Sequence, residues 1–372
     1  MLTRLRVENY KSLVDFEFAP PKLAVLIGPN GAGKTSIGAA LYGLGRLLAE
    51  GVSVGECFPA KTLCQWSKSA LQAFDLEYDV KDGHFTYRLD LIHAPTTRTV
   101  RIAVESLSLD GKLLYECRDG EVRLFGDNPG PSPRTTFPFD RTRSFLPLLE
   151  ERPDNRRIRA FRSLVQAIIV LHPNPFAMTG RSEREESRLA PDGSNFAAFY
   201  RWFQQARPER LQPYFDSLRA VFPTFKTLRS VDSGSGVKEL RALFAAPEGG
   251  EINLTVDDLS EGQRQLMFLY LLLQDLGRPS VLFLDEPDNF VSVREVQPFL
   301  IQLEDALSEA GSQALVISHG TDVMDFLDSR QAFAVTRPDG GPSAIEKLDG
   351  SSGSKASSWM RFADQETSGA AK

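Results

Sequence analysis

The segment Gly28-Pro29-Asn30-Gly31-Ala32-Gly33-Lys34-Thr35 constrains this chain more than any other. It fits the G-x-x-x-x-G-K-[ST] pattern of a phosphate-binding loop, which carries meaning only between a strand and a helix. Both are expected here. KLAVLI, directly before it, is a continuous apolar run suited to a strand buried on both faces. TSIGAALYGLGRLLAE, after it, places apolar residues at helical spacing. The opening unit is therefore strand, loop, helix, within an α/β architecture. Such a loop turns its backbone N–H groups inward onto phosphate oxygens, and the helix N-terminus adds positive potential. Lys34 would reach the β and γ phosphates of ATP, and the Thr35 hydroxyl would ligate Mg²⁺. Asn30, Gly31, Gly33, Lys34, Thr35 and Ser36 are the candidate nucleotide-binding residues on this segment.

A second constraint lies far downstream. Val281-Leu282-Phe283-Leu284-Asp285-Glu286 is an apolar strand ending in two acids. A buried parallel strand would deliver those carboxylates to the C-terminal edge of its sheet, where ligands of open α/β sheets bind. Asp285 would hold the Mg²⁺ shell, directly or through water, and Glu286 would polarise an attacking water. Alone, the pair could be an acidic turn after a core strand; beside a phosphate loop the catalytic reading prevails.

Other segments fill in the organisation. LTRLRVENY and VDFEF read as strands ahead of KLAVLI. LQAFDLEYDV, FTYRLDLI, TVRIAVESLSL, KLLYEC and EVRLF are separated by turn signals and predict an antiparallel meander over residues 71–125. The Pro- and Gly-rich GDNPGPSPRTTFPFD reads as a link. Residues 141–222 are helical in flavour, with RIRAFRSLVQAIIVL and SNFAAFYRWFQQA interrupted by HPNP and GRSEREESRLAPDG, and suggest an arm or lid. FKTLRSVD, KELRALFAA and EINLTV are strands again, a helix follows at about 261–276, and VLFLDEP and QALVISH are two further buried strands. The last residues have too little apolar content to order themselves.

Composition narrows the function class. Apolar residues at 42% and charged residues at 25% are ordinary globular values, and no apolar run approaches the roughly 18 residues of a membrane span. The N-terminus lacks the apolar core of an export signal. The expectation is a soluble, cytoplasmic protein with no membrane partner. Cys57, Cys64 and Cys117 match no metal or redox spacing and read as free thiols. A net charge of -6 argues against a chain coated in positive charge for nucleic acid. A local patch remains open: Arg134, Arg141, Arg143, Arg152, Arg156, Arg157, Arg159 and Arg162 face the acids Asp140, Glu150, Glu151 and Asp154, and form either a DNA-contacting face or a salt-bridged solvated one.

Leu259-Ser260-Glu261-Gly262-Gln263 resembles the LSGGQ signature of ABC ATPases, with one Gly replaced by Glu, and it opens a helix ahead of the acidic strand. Asp285-Glu286-Pro287 and then His319, directly after ALVIS, follow at that family's spacing, and His319 resembles its switch histidine. The resemblance covers four motifs in the family's order between residues 28 and 319. It implies an α/β fold, a P-loop ABC-type ATPase head with an antiparallel β subdomain and a helical arm or lid subdomain. The corresponding boundaries are 1–60 with 225–340 for the discontinuous core, 61–130 for the β subdomain, 131–224 for the arm and 341–372 for a polar tail. It also implies ATP and Mg²⁺ as ligands, and a homodimer in which Lys34 and Thr35 of one subunit meet Ser260 and Gly262 of the other. Gln263 counts among the nucleotide contacts, Thr35 and Asp285 hold the metal, and Glu286, His319 and Lys34 carry catalysis.

Two positions depart from the family. Ser292 stands where many members have the D-loop Asp, and no Q-loop glutamine can be assigned, Gln65 and Gln72 both being candidates. The interval from Lys34 to Ser260, 226 residues, exceeds that of transporter subunits, and it carries no heptads of the kind found in chromosome-maintenance relatives. The chain thus looks most like the short-armed RecF-like and OLD-like AAA family ATPases, whose phrases Leu5-Arg6-Val7-Glu8-Asn9-Tyr10-Lys11-Ser12-Leu13 and Leu189-Ala190-Pro191-Asp192-Gly193-Ser194-Asn195-Phe196 resemble. The segment after His319 does not fit the nuclease domain of OLD-like proteins, so any cutting falls to another polypeptide. The function implied is ATP-driven dimerisation controlling a DNA-associated process in repair or antiviral defence. The alternative is a switch that holds or releases a protein effector without touching DNA.

Overall fold

A five-residue apolar run such as Leu23–Ile27 is stable as a strand only where both of its faces are covered. The computed structural model describes residues 1–94, 99–276, 281–318 and 331–348. The chain opens with β1 (Leu2–Glu8), β2 (Phe16–Phe18) and β3 (Leu23–Ile27), followed by α1 (Lys34–Gly45) and α2 (Val54–Cys57). Next come β4 (Leu71–Val80), β5 (Gly83–Ala94), β6 (Thr99–Leu109), β7 (Lys112–Arg118), β8 (Glu121–Leu124) and β9 (Thr135–Pro138). Helix α3 (Arg156–Gln166) leads into β10 (Ile168–Leu171) and the short β11 (Arg181–Ser182), and α4 (Phe196–Ala206) and α5 (Pro208–Val221) follow. Then come β12 (Phe225–Asp232), β13 (Lys238–Ala245) and β14 (Glu251–Thr255), and α6 (Glu261–Asp275) precedes β15 (Val281–Asp285). Helix α7 (Val293–Ala310), β16 (Gln313–Ile317), β17 (Ala332–Thr336) and β18 (Ala344–Lys347) complete the described elements.

The central sheet has the order β10-β15-β16-β3-β17-β18, parallel except where β18 runs back along β17. Because side chains alternate across a strand, its apolar runs feed two cores at once. Ala24, Leu26, Phe283, Leu315 and Ile317 face a core shared with α1, α3 and the eight-stranded antiparallel sheet β2-β1-β4-β5-β6-β7-β8-β9. Leu23, Val25, Leu282, Leu284, Ala314 and Val316 face a second core built with α4, α5, α6, α7 and a small sheet in which β13 pairs with β11, β12 and β14. One buried amide joins the two larger sheets: Gln313 accepts from the Leu2 N–H at 3.0 Å and donates to the Leu2 and Pro20 carbonyls at 3.0 and 2.9 Å.

Several expected boundaries move. β1 and β2, assigned with the core by sequence, belong to the antiparallel sheet, which also runs on through β9. The helical reading of RIRAFRSLVQAIIVL stops at Gln166: Ile168–Leu171 is a parallel strand beside β15, so the 131–224 segment is threaded into the central sheet as well as forming α3, α4 and α5. Ile-Ile-Val is β-branched throughout and suits a pleated position better than a helix. The segment read as a polar tail begins with a strand, since Ala344–Lys347 pairs with β17; residues 349–372 lie outside the described residues. Among the described residues no helix is long and apolar enough to cross a membrane.

Candidate nucleotide site

Parallel strands place their C-terminal ends on one edge of the central sheet, and the loops there carry the predicted residues. Gly28 leaves β3 so close to β17 that a Cβ would lie 2.1 Å from the Val335 carbonyl oxygen. Gly33 caps α1 at φ 104°, a left-handed conformation open to glycine, and a Cβ there would strike the hydroxyls of Ser343 and Ser12. Those hydroxyls hold the loop: Ser343 Oγ donates to the Ala32 carbonyl at 2.6 Å and lies 2.8 Å from Ser12 Oγ. Sequence reading missed both serines. Ser343 lay in a stretch without any pattern, and only the pairing of β17 with β18 brings it to the loop.

Lys34 is 5% exposed, and its ammonium donates to the Gly28 and Pro29 carbonyls at 2.6 and 3.1 Å. Burial lowers its pKa, while Glu286 and Asp285 oppose the shift. The Thr35 hydroxyl donates to Asp285 Oδ2 at 2.9 Å. Asp285 is 9% exposed, and its other oxygen, Oδ1, is buried without a hydrogen-bond partner among the described residues. Burial raises the Asp285 carboxyl above the ordinary carboxylate range, the Thr35 hydrogen bond works against that, and the neighbouring Glu286 charge adds to it. A buried carboxylate with one unpaired oxygen is costly unless a cation or donor completes it. Hydroxyl and carboxylate oxygens at the phosphate loop form a donor set that suits Mg²⁺, so Thr35 and Asp285 would hold it.

Glu286 adopts a left-handed turn at φ 52°, its N–H donates to the Ile317 carbonyl at 3.0 Å, and its Oε2 accepts from Asn289 at 2.6 Å. Its side chain lines a cavity of about 450 Å³ together with Asn30, Gly31, Gly33, Lys34, Thr35 and Ser36. Lys11, Lys61, Gln65, Trp66 and Arg337 line the same space. Lys11, Lys34, Lys61 and Arg337 set against Glu286 make this wall predominantly positive, as a polyphosphate requires.

The two candidates for a Q-loop glutamine separate. Gln65 lines the cavity. Gln72 is fully buried elsewhere, where its amide donates to the Asn9 and Thr62 carbonyls at 3.0 and 3.3 Å, so its work is structural. With Asn9, whose side chain donates to Ser69 and Leu71 carbonyls and accepts from the Cys64 N–H, it fastens the segment that carries Gln65 and Trp66.

The signature lies apart from this cavity. Ser260 caps α6, accepting from the Gln263 N–H at 3.3 Å while Gln263 Oε1 accepts from the Ser260 N–H at 3.0 Å. This is a capping box, which leaves the helix N-terminus well formed at the surface. A side chain at Gly262 would meet the Phe290 carbonyl at 2.7 Å, so glycine here lets α6 approach the turn after Glu286. Ser260, Gly262 and Gln263 are absent from the residues lining the cavity in their own chain. Ser292, at the D-loop position, stands at the head of α7, where the Glu295 carboxylate accepts from its hydroxyl at 2.6 Å and from its N–H at 3.1 Å. His319 lies outside the described residues.

The arginine-rich segment is mostly engaged with its own protein. Arg134 pairs with Asp154 at 3.1 Å, Arg141 with Asp119 at 3.0 Å, and Arg159 with Glu151 at 2.5 Å. Arg143 and Arg162 donate to the Gly51 and Leu149 carbonyls, and Arg152 lies 3.8 Å from Glu150. Arg156 and Arg157 are exposed. Cys57, Cys64 and Cys117 are free thiols.

The fold is shared with solved structures at low identity. A crystal structure of an SMC head bound to the C-terminal winged-helix domain of ScpA matches with a TM-score of 0.60 at 15% identity, covering 94% of this chain and 98% of that one. An SMC head with an extended coiled coil bound to the C-terminal domain of ScpA, derived from Pyrococcus furiosus, matches at 0.53 and 13%, covering 98% and 99%. These likenesses show the fold. No curated protein matches the chain. The profile of the family described as "AAA domain, putative AbiEii toxin, Type IV TA system" matches residues 105–325, more than half of the sequence. The chain belongs to that AAA-domain family, with an ABC-type head of the SMC-related fold.

Proposed function

We propose that this protein is an ATP-hydrolysing switch that works by closing on a second copy of itself. The observation that carries the reading is the meeting of Thr35 and Asp285, 2.9 Å apart although 250 residues separate them in sequence. They meet at the edge of a positively lined cavity that also holds Lys34 and Glu286. In this reading the loop N–H groups and Lys34 bind the β and γ phosphates. Thr35 and Asp285 would hold Mg²⁺, whose charge would offset that of the phosphates. Glu286, fixed by its turn, polarises the attacking water. Ser260 and Gly262 stand outside their own chain's cavity, so their contact with nucleotide calls for the cavity of a second copy. There the α6 N-terminus adds positive potential at the γ-phosphate. Phe176 and Phe290, 66% and 52% exposed and packed edge-to-face at 5.5 Å beside Gly262, offer apolar surface to that closure. His319 is assigned its γ-phosphate contact on the family resemblance alone.

Glu286→Gln tests the catalytic part. An amide fits the same space and cannot take a proton, so ATP affinity should stay within a few-fold while turnover falls by about 100-fold or more. Hydrolysis at the wild-type rate would remove Glu286 from this role.

The process that the switch controls is the finer question. The sequence points to a DNA-associated role in repair or in defence against foreign DNA. A second reading, in which the dimer holds an effector or nuclease protein, is favoured by the internal pairing of Arg134, Arg141 and Arg159, which leaves less positive charge for a phosphate backbone. The family description names a toxin–antitoxin system, and the similar SMC heads were solved with ScpA, a protein partner. ATP-dependent DNA binding that weakens steeply with salt would reverse the preference.

A further inference from the structure

We propose that Trp66, backed by Arg337, is the platform on which the purine base of the bound nucleotide stacks. The inference rests on the reading of the cavity as an ATP site and adds the part of the nucleotide that a phosphate loop does not address. The cavity extends from the loop to a wall carrying Trp66 and Arg337. Trp66 is 46% exposed there, so burial in a core does not account for an indole at this position. One face of its ring is backed by the Arg337 guanidinium, whose central carbon lies 4.6 Å from the ring centroid.

That guanidinium is held at all three nitrogens: Nε donates to the Gly341 carbonyl at 2.8 Å, Nη2 to Gly340 at 2.7 Å, and Nη1 to Gly31 at 3.3 Å. Gly31 belongs to the phosphate loop, so the stacked pair is tied to the backbone that would hold the phosphates. A fixed planar cation behind an indole holds the ring in place by cation–π attraction, and Trp66 itself lines the cavity. Aromatic side chains on such walls take bases by stacking, and losing one such contact weakens binding by roughly 10-fold or more.

The test compares ATP with inorganic tripolyphosphate, which carries the phosphates without the base. Wild type, Trp66→Phe, Trp66→Ala and Lys34→Ala are titrated by calorimetry, with tryptophan fluorescence followed in wild type and Trp66→Phe. Trp66→Ala should weaken ATP by about 10-fold or more and leave tripolyphosphate unchanged, and Trp66→Phe should keep most of the ATP affinity. ATP should quench the fluorescence component that Trp66→Phe lacks, and tripolyphosphate should not. If Trp66→Ala binds ATP like wild type, or weakens both ligands in parallel, the platform is refuted. Loss of ATP binding in Lys34→Ala alone would leave the ATP site standing while the platform falls. Wild type binding neither ligand would overturn both.

Discussion

Asp285 and Glu105 are both buried carboxyls, and their surroundings give them different work. Asp285 reaches the cavity edge with one oxygen on Thr35 and the other unpaired, the condition of a group that meets a cation. Glu105 is fully buried inside the antiparallel sheet, where its Oε1 accepts from the Tyr87 hydroxyl at 3.0 Å and the Ser144 hydroxyl at 2.6 Å. Burial raises the Glu105 pKa, and the Ser144, Tyr115 and Tyr87 hydroxyls only partly offset it. A carboxyl whose folded pKa lies above its unfolded value contributes stability that is fully present below the unfolded pKa, about 4.3 for glutamate, and is lost as pH rises through the folded value. Glu105→Gln keeps an acceptor for both hydroxyls and removes the titration. Its melting temperature relative to wild type should therefore rise by a few degrees between pH 5 and pH 8. Equal differences at both pH values would show that Glu105 carries no such penalty.

Residues whose chemistry depends on near neighbours in sequence were legible. Gly28 to Thr35 announce the loop because the pattern is local, and Asp285-Glu286 because an apolar strand precedes them. Ser12, Ser343, Trp66 and Arg337 were not, since each reaches the site only through strand pairing or a loop crossing far along the chain. His172 shows the same limit: it was read only as part of a helix break, yet it directly follows β10, whose pairing with β15 ends at Leu171 and Leu284 just ahead of Asp285.

Among the elements, β3 and β10 teach opposite lessons. β3 was unmistakable, being apolar throughout and followed by the loop. β10 was read as helix because a good amphipathic helix precedes it without a break. Residues 156–166 carry Ile158, Phe161 and Val165 on one buried face, and nothing in the pattern marks the change until the β-branched residues begin. The loop between β3 and α1 is held by close backbone contact, which yields an element-scale prediction. Gly28→Ala places a methyl group against the Val335 carbonyl of β17, a backbone atom that cannot rotate aside. The variant should lose about 1–3 kcal/mol of stability, measured by chemical denaturation. Unfolding at the wild-type denaturant concentration would show that β3 and β17 are less tightly coupled than described.

At the scale of the whole molecule, two cores on either side of one parallel sheet hold parts with different duties. The core with α1 and the antiparallel sheet supports the phosphate loop. The core with α4 to α7 supports the signature at the head of α6. Ser260 does not line the cavity that holds Lys34 in its own chain, and the proposed mechanism joins them only between copies. Light scattering on Glu286→Gln with ATP and Mg²⁺, at concentrations well above nucleotide saturation, tests this most directly. Twice the chain mass is expected with ATP, a single chain without nucleotide, and a single chain again when Ser260→Arg is added. A strictly monomeric Glu286→Gln protein under saturating ATP and Mg²⁺ would contradict it.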